Sequence, residues 1–252
     1  MGDLFSLSGK AAIVTGSTRG IGRAVAEALI AAGARVVISS EDHADTVRVA
    51  NELGMPGIAC DVSDDAQLGA LVDYALSKFG QLDVLVCNAG ITGKPGPFAD
   101  VEMDDYARVM AINLRSQVVL CNLALPHIAA GGGGSIVLMA SLSGLRGNGR
   151  INAYALAKAG VAQLARNLAV EWGPKAVRAN AISPGFIATE LSRSLLEDQK
   201  FMDRRMAMTP LRRPGTVTDI AGAAVFLASA ASAFITGHNL VVDGGTLISD
   251  GS

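Results

Sequence analysis

Half of the 252 residues are hydrophobic and the net charge is −2, so the chain can bury a large core within one domain and shows no basic excess for a nucleic-acid partner. Cys60, Cys87 and Cys121 are scattered with no Cys-x-x-Cys, and His43, His127 and His238 are isolated; this argues against a disulfide framework or a metal centre and for a reducing, cytoplasmic setting. The longest uncharged stretch, Ile220 to Gly237, is interrupted by Ser229, Ser232 and Thr236, and no membrane span is expected. Met1 to Ser6 meets the loose N-myristoylation pattern, but a motif that short arises often by chance.

In chain order, Ala11 to Thr15 reads as a buried strand, followed by a glycine turn from Gly16 to Gly22 and an alanine-rich helix from Arg23 to Ala32. Strand, glycine turn and helix together make a site where backbone amides and the helix dipole meet a pyrophosphate. A second strand, Ala34 to Ser39, runs into Ser40 and Glu41, placing a carboxylate about twenty residues after the turn, where an acid accepts from a ribose 2′-hydroxyl. Asp42 and Asp45 suit the start of the next helix, about Ala44 to Leu53.

A strand at Ile58 to Cys60 leads to Asp61 and Val62, and Asp64 with Gln67 forms a capping box that leaves Asp61 for another partner. Val84 to Cys87 is the fourth strand and ends at Asn88, Ala89 and Gly90. A long helix from Met103 to Leu125 carries Asn113, whose ordinary reading is a satisfied buried amide. Ser135 to Ala140 is the fifth strand, with Ser141 at its carboxyl end. The helix from Asn152 to Trp172 places Tyr154 and Lys158 at i and i+4, on one face.

A free phenol titrates near pH 10, so it exchanges protons with an alcohol oxygen near neutrality only where its anion is stabilised. Lowering its pKa by about three units takes about 4 kcal/mol, which a close ammonium in a partly dry pocket largely supplies. Ser141 then has the hydroxyl to bind the same oxygen. Arg178 to Ser183 and Asn239 to Asp243 complete seven strands. Between them lie a loop from Pro184 and Gly185 through Ile187 to Thr189, a charged and methionine-rich segment 191–213, and a helix from Val217 to Ala228. The arginines at 204, 205, 212 and 213 read as a solvated loop face.

Ser141 followed thirteen residues later by Tyr154-x-x-x-Lys158, and Thr15-Gly16-x-x-x-Gly20-x-Gly22, resemble the motifs of the short-chain dehydrogenase/reductase family. Asn88, Ala89 and Gly90 resemble its Asn-Asn-Ala-Gly motif, with Cys87 in place of the first asparagine. The resemblance spans nearly the whole chain, with the motifs in order. It implies an α/β, doubly wound Rossmann domain over residues 1–252, with a seven-stranded, mostly parallel sheet and a variable substrate lid at about 191–213.

It also implies an NAD(P)-dependent oxidoreductase that interconverts a ketone and a secondary alcohol by hydride transfer. Its catalytic residues are Asn113, Ser141, Tyr154 and Lys158. The implied cofactor contacts are Gly16, Ser17, Arg19, Gly20, Ile21, Gly22, Ser40, Glu41, Asp61, Val62, Asn88, Ala89, Gly90, Tyr154, Lys158, Pro184, Gly185, Ile187 and Thr189.

Glu41 stands where NADPH-using relatives commonly carry a basic residue, which favours NAD(H) over NADP(H), although Arg19 pulls the other way. Leu142, Leu145, Phe186 and the lid methionines suggest a predominantly apolar ketone or alcohol. The family and the few charges on the two long helices point to a homotetramer. An NADPH-dependent 3-oxoacyl-carrier-protein reductase, with Arg146 and Arg150 facing the acidic carrier, is the rival enzyme. A catalytically silent nucleotide-binding regulator is the rival of another class, disfavoured because all four catalytic positions are intact.

Overall fold

Ala11–Thr15 (β1) is buried along its whole length, as a strand covered on both faces must be. In the computed structural model, which describes residues 4–249, β1 lies between Arg35–Ser39 (β2) and Val84–Cys87 (β3). Gly134–Met139 (β4), Val177–Pro184 (β5) and Asn239–Val242 (β6) follow outward from β3. Every neighbouring pair is parallel. The N-terminal lipidation pattern starts outside the described residues.

The sheet has six strands rather than the seven expected. Ile58 to Cys60 runs beside β2, with the Ile58 and Cys60 N–H groups donating to Ile38 O at 3.0 Å and Ser40 O at 2.8 Å, but only a single Gly57 to Ile38 bridge forms. The segment pairs on one side only, and Pro56 at its start has no N–H to give.

Alternate residues of each strand feed the two faces. Ile13, Leu85, Ile136, Leu138 and Ala179 pack beneath Asp65–Phe79 (α3 in chain order), Ser116–Ala130 (α5) and Ala153–Trp172 (α6). Val14, Val36, Val86, Val137 and Ile182 face Gly20–Ala31 (α1), His43–Leu53 (α2) and Val217–Ala228 (α9).

The long helix expected from Met103 to Leu125 is interrupted. Met103–Met110 (α4) passes through a π-helical turn, Ala111–Arg115, into α5, which continues through Pro126 to Ala130. By length and composition the 28 residues from Met103 to Ala130 are apolar enough to cross a membrane. Leu120, Cys121, Ala124, Leu125 and Ile128 are instead fully buried against the sheet, as in a core helix.

The lid segment forms two short helices, Arg193–Leu196 (α7) and Gln199–Ala207 (α8). Strand order reverses between β1 and β3, so their carboxyl ends splay apart and leave a crevice beside the first glycine turn.

Candidate active site

The crevice is held open by polar ties at its floor. Thr15 Oγ1 accepts from Asn88 N at 3.0 Å and Ala89 N at 3.1 Å, while Asn88 Nδ2 donates to Thr15 O at 3.0 Å and Gly16 O at 3.2 Å. Gly16 and Gly20 have φ of 63° and 56°, where a side chain is strained. A Cβ on Gly22 would collide with the Gly16 carbonyl and the Asn88 amide.

No side chain caps the start of α1, and across the crevice from Gly20 the nearest atom to a built Cβ is Thr189 Cγ2, at 3.9 Å. An uncapped helix start behind a glycine turn is the donor set a pyrophosphate requires. These residues therefore fit a nicotinamide dinucleotide.

Other expected contacts are sorted by their partners. Ser17 is fully buried. Its N–H and hydroxyl are both tied to the backbone of Ser39, so it shapes the turn rather than offering a side chain. Ser40 is buried, with its hydroxyl accepting from Asp42 N at 3.2 Å. Glu41 is exposed and meets Arg19 at 3.5 Å, so the two charges that compete over cofactor choice face each other.

Asp64 does cap α3, but Gln67 Oε1 accepts from Asp61 N at 2.9 Å rather than closing the expected box. Asp61 also uses Oδ1 to accept from Ser63, which leaves Oδ2 for a further donor. Val62 turns into the core. Gly185 abuts Asp243, Ile187 is buried with its carbonyl accepting from Ser192, and Thr189 caps the next turn through Ser192.

The four residues expected to be catalytic come from three elements. One turn of α6 separates Tyr154 from Lys158, whose Nζ is 5.5 Å from the tyrosine ring centroid. Lys158 is 3% exposed, and its ammonium donates to the Met139 carbonyl at the end of β4 at 2.7 Å. Asn113 sits in the π turn, and its amide donates to Ile91 O at 2.8 Å, which ties the turn to the loop after β3, and to Val109 O of α4 at 3.0 Å. A Cβ on Gly90 would lie 2.5 Å from Asn113 Oδ1 and 3.6 Å from Lys158 Nζ, so glycine at this position lets the two approach one spot. A π turn at such a point is a common mark of a functional site.

Ser141 caps the short turn Leu142–Gly144 and accepts from Ser143 N at 3.1 Å. Gly144 lets that turn press on the backbone of Lys158 and Ala159.

Burial sets the charges. It raises the Tyr154 phenol above its ordinary value, with the Ser141 hydroxyl pulling the other way. It pulls Lys158 down to about 8. Burial of the phenol outweighs the lowering expected from Lys158, whose ammonium donates to the Met139 carbonyl.

Thr15, Asn152 and Gly144 are positioning residues that the sequence reading passed over. Asn152 caps α6, accepting from Ala153 N at 2.6 Å. Its place immediately before an alanine-rich helix was the available signal.

Residues 16–246 match the family model described as Enoyl-(Acyl carrier protein) reductase. The 7α-hydroxysteroid dehydrogenase of Escherichia coli (strain K12) is 38% identical over 248 residues, covering 96% of both chains. The chain belongs to the short-chain dehydrogenase/reductase family.

A crystal structure of gluconate 5-dehydrogenase from Burkholderia cenocepacia J2315 with NADP and tartrate superposes with a TM-score of 0.94 at 35% identity, covering 98% of each chain. A 7α-hydroxysteroid dehydrogenase with NADH and 7-oxo glycochenodeoxycholic acid gives 0.92 at 38% identity, covering 97% of each. Like these relatives, the short-chain dehydrogenase/reductase described here is a nicotinamide-dependent oxidoreductase acting on alcohols and ketones.

The segment expected to form the lid is anchored to the loop after β5 by a T-shaped contact between Phe201 and Phe186, with centroids 5.4 Å apart. Leu142, expected in the pocket, is buried, whereas Leu145 stays exposed. Of the four arginines expected on a solvated face, Arg204, Arg212 and Arg213 are exposed, while Arg205 departs and lies over the rings of Phe186 and Phe201.

Proposed function

We propose that this enzyme interconverts a ketone and a secondary alcohol on a predominantly apolar body, with NAD(H) favoured over NADP(H) and Tyr154 as the acid/base. The convergence of Ser141, Tyr154, Lys158 and Asn113 on one spot carries the reading. When bound, the nicotinamide supplies or accepts the hydride. Tyr154 gives its phenolic proton to the carbonyl oxygen in reduction and takes it back in oxidation. Ser141 orients that oxygen by donating to it. Lys158 holds the nicotinamide ribose and offsets part of the cost of a buried phenolate, and Asn113 supports proton exchange with Lys158.

The glycine turn, Glu41, Asp61, Asn88 to Gly90, and Pro184 to Thr189 hold the dinucleotide, within a single domain closed by the 191–213 lid. The test is a panel of ketones and alcohols assayed with both cofactors. Turnover of none of them would favour the silent regulator.

Cofactor choice turns on Glu41, which is exposed at the end of β2 beside Arg19. A 2′-phosphate there meets like-charge repulsion, while a 2′-hydroxyl donates to the carboxylate. Glu41→Arg is expected to shift the NADPH to NADH ratio of kcat/KM upward by at least about tenfold, or 1.4 kcal/mol. A wild-type preference for NADPH above about tenfold would overturn the assignment.

We infer a cytoplasmic homotetramer. Phe234 is fully exposed and Val170 is 81% exposed, and Leu123 and Leu156 lie open on the two long helices, so apolar surface remains for subunit contact. Light scattering at micromolar concentration is expected to give four times the 25.8 kDa chain mass; a monomer would contradict it.

A further inference from the structure

Arg205 on α8 is half-buried, with its guanidinium 5.6 Å from the Phe186 centroid and 5.5 Å from the Phe201 centroid. Among the described residues no acid pairs with it. Four acids of this region are engaged elsewhere: Glu190 with Arg193 at 2.6 Å, Asp219 with Arg213 at 2.7 Å, Asp203 with Gln199 at 2.7 Å, and Asp198 with Phe201 N at 3.0 Å. Burial weakens the guanidinium's hold on its proton, and Arg146 and Arg204 weaken it further by repulsion. Like charges gathered without a counter-charge are costly unless an anion joins them.

The place of this cluster in the fold is informative. Phe186 follows Pro184 and Gly185 at the carboxyl end of β5, and Arg146 follows Ser141 by five residues. Both segments leave the carboxyl ends of the neighbouring strands β4 and β5, the end at which Ser141 lies, away from Glu41 after the edge strand β2.

We propose that Arg205, assisted by Arg146, binds a carboxylate on the substrate, so that the enzyme's preferred substrate is an oxo or hydroxy acid with an apolar body. The planar guanidinium fork matches a carboxylate in two parallel hydrogen bonds. Phe186 and Phe201 place their rings beside the guanidinium, and Leu145 offers apolar surface for the body between the acid and the carbonyl. A slender head group suits a half-buried arginine better than the broad acidic surface of a carrier protein. The assignment rests on the carbonyl–alcohol reading above and adds the class of substrate.

The test compares 4-oxocyclohexanecarboxylate with its neutral methyl ester at saturating NADH, in wild type, Arg205→Gln and Arg146→Gln. The wild type is expected to favour the acid by at least about tenfold in kcat/KM, mainly through KM, and Arg205→Gln to lower the acid-to-ester ratio by at least about tenfold.

A second readout needs neither turnover nor a folded variant. With NADH present, cyclohexanecarboxylate is expected to raise the wild-type melting temperature and cyclohexanecarboxamide to leave it unchanged. Equal shifts from the two ligands, or wild-type turnover of acid and ester within threefold of each other, overturn the carboxylate site while leaving the carbonyl reductase intact. Preference for a 3-oxoacyl carrier protein, with no protection by the carboxylate, overturns it in favour of a carrier surface. Loss of all ketone turnover with selective carboxylate protection retained sinks the reductase reading and supports the anion site.

Discussion

Tyr154→Phe is expected to lower kcat by at least about 10³-fold, within the range by which a positioned acid or base accelerates a reaction. The substitution removes only the phenolic oxygen. The ring, its place on α6, and the Lys158 ammonium 5.5 Å from its centroid all remain, so NADH affinity is expected to change by less than about threefold. The Ser141 hydroxyl works against the burial of the phenol, and the two groups are therefore expected to act on one carbonyl oxygen. Steady-state kinetics on the best ketone, with fluorescence titration of NADH, checks both halves. A variant that turns over at close to the wild-type rate would remove Tyr154 as acid/base, and equal losses in turnover and binding would make it a structural residue.

The parts of this enzyme that were legible in the sequence are those built from local rules. The strand, glycine turn and helix at Ala11 to Ala31 follow from burial, conformational freedom and helix propensity within a short window. The i, i+4 spacing of Tyr154 and Lys158 follows from helix geometry. Contacts made across the fold were not legible in the same way.

The π turn at Asn113 arises where α4 and α5 meet α6 through Leu114, whose side chain packs on Gly160, and no local pattern marks it. The lost seventh strand depends on edge pairing and on Pro56. Arg205 was misread because charge density along the chain says nothing of two phenylalanines packed against it, one of them nineteen residues away just past the end of β5. The expectation that Lys158 would lower the Tyr154 phenol failed for a related reason. Spacing places the pair together, but the Met139 carbonyl and the depth of burial decide where the ammonium points and what it can stabilise.

The cost of that buried ammonium is itself measurable. Lys158 titrates at about 8 in the folded protein against its ordinary 10.5, so between these values the unfolded chain holds a proton that the folded chain has lost. Stability therefore rises with pH across the window, at up to about 1.4 kcal/mol per pH unit from this group. The cost is fully present below pH 8 and relieved by about pH 10.5, a span worth roughly 3 kcal/mol. Lys158→Met keeps the length of the side chain and removes the charge. It also removes the hydrogen bond to the Met139 carbonyl, a loss of about 1 kcal/mol at every pH.

Without cofactor, the methionine variant is thus expected to be more stable than wild type by roughly 2 kcal/mol at pH 7, and slightly less stable at pH 10.5. Other groups titrating in this range are common to both proteins and cancel in the difference. Urea unfolding of the two proteins at pH 7, 8.5 and 10.5 reads it directly. A stability difference that stays flat with pH would mean that the ammonium is not desolvated as the structure shows. A crossing would show that the folded enzyme carries a destabilising charge at the position proposed to hold the nicotinamide ribose.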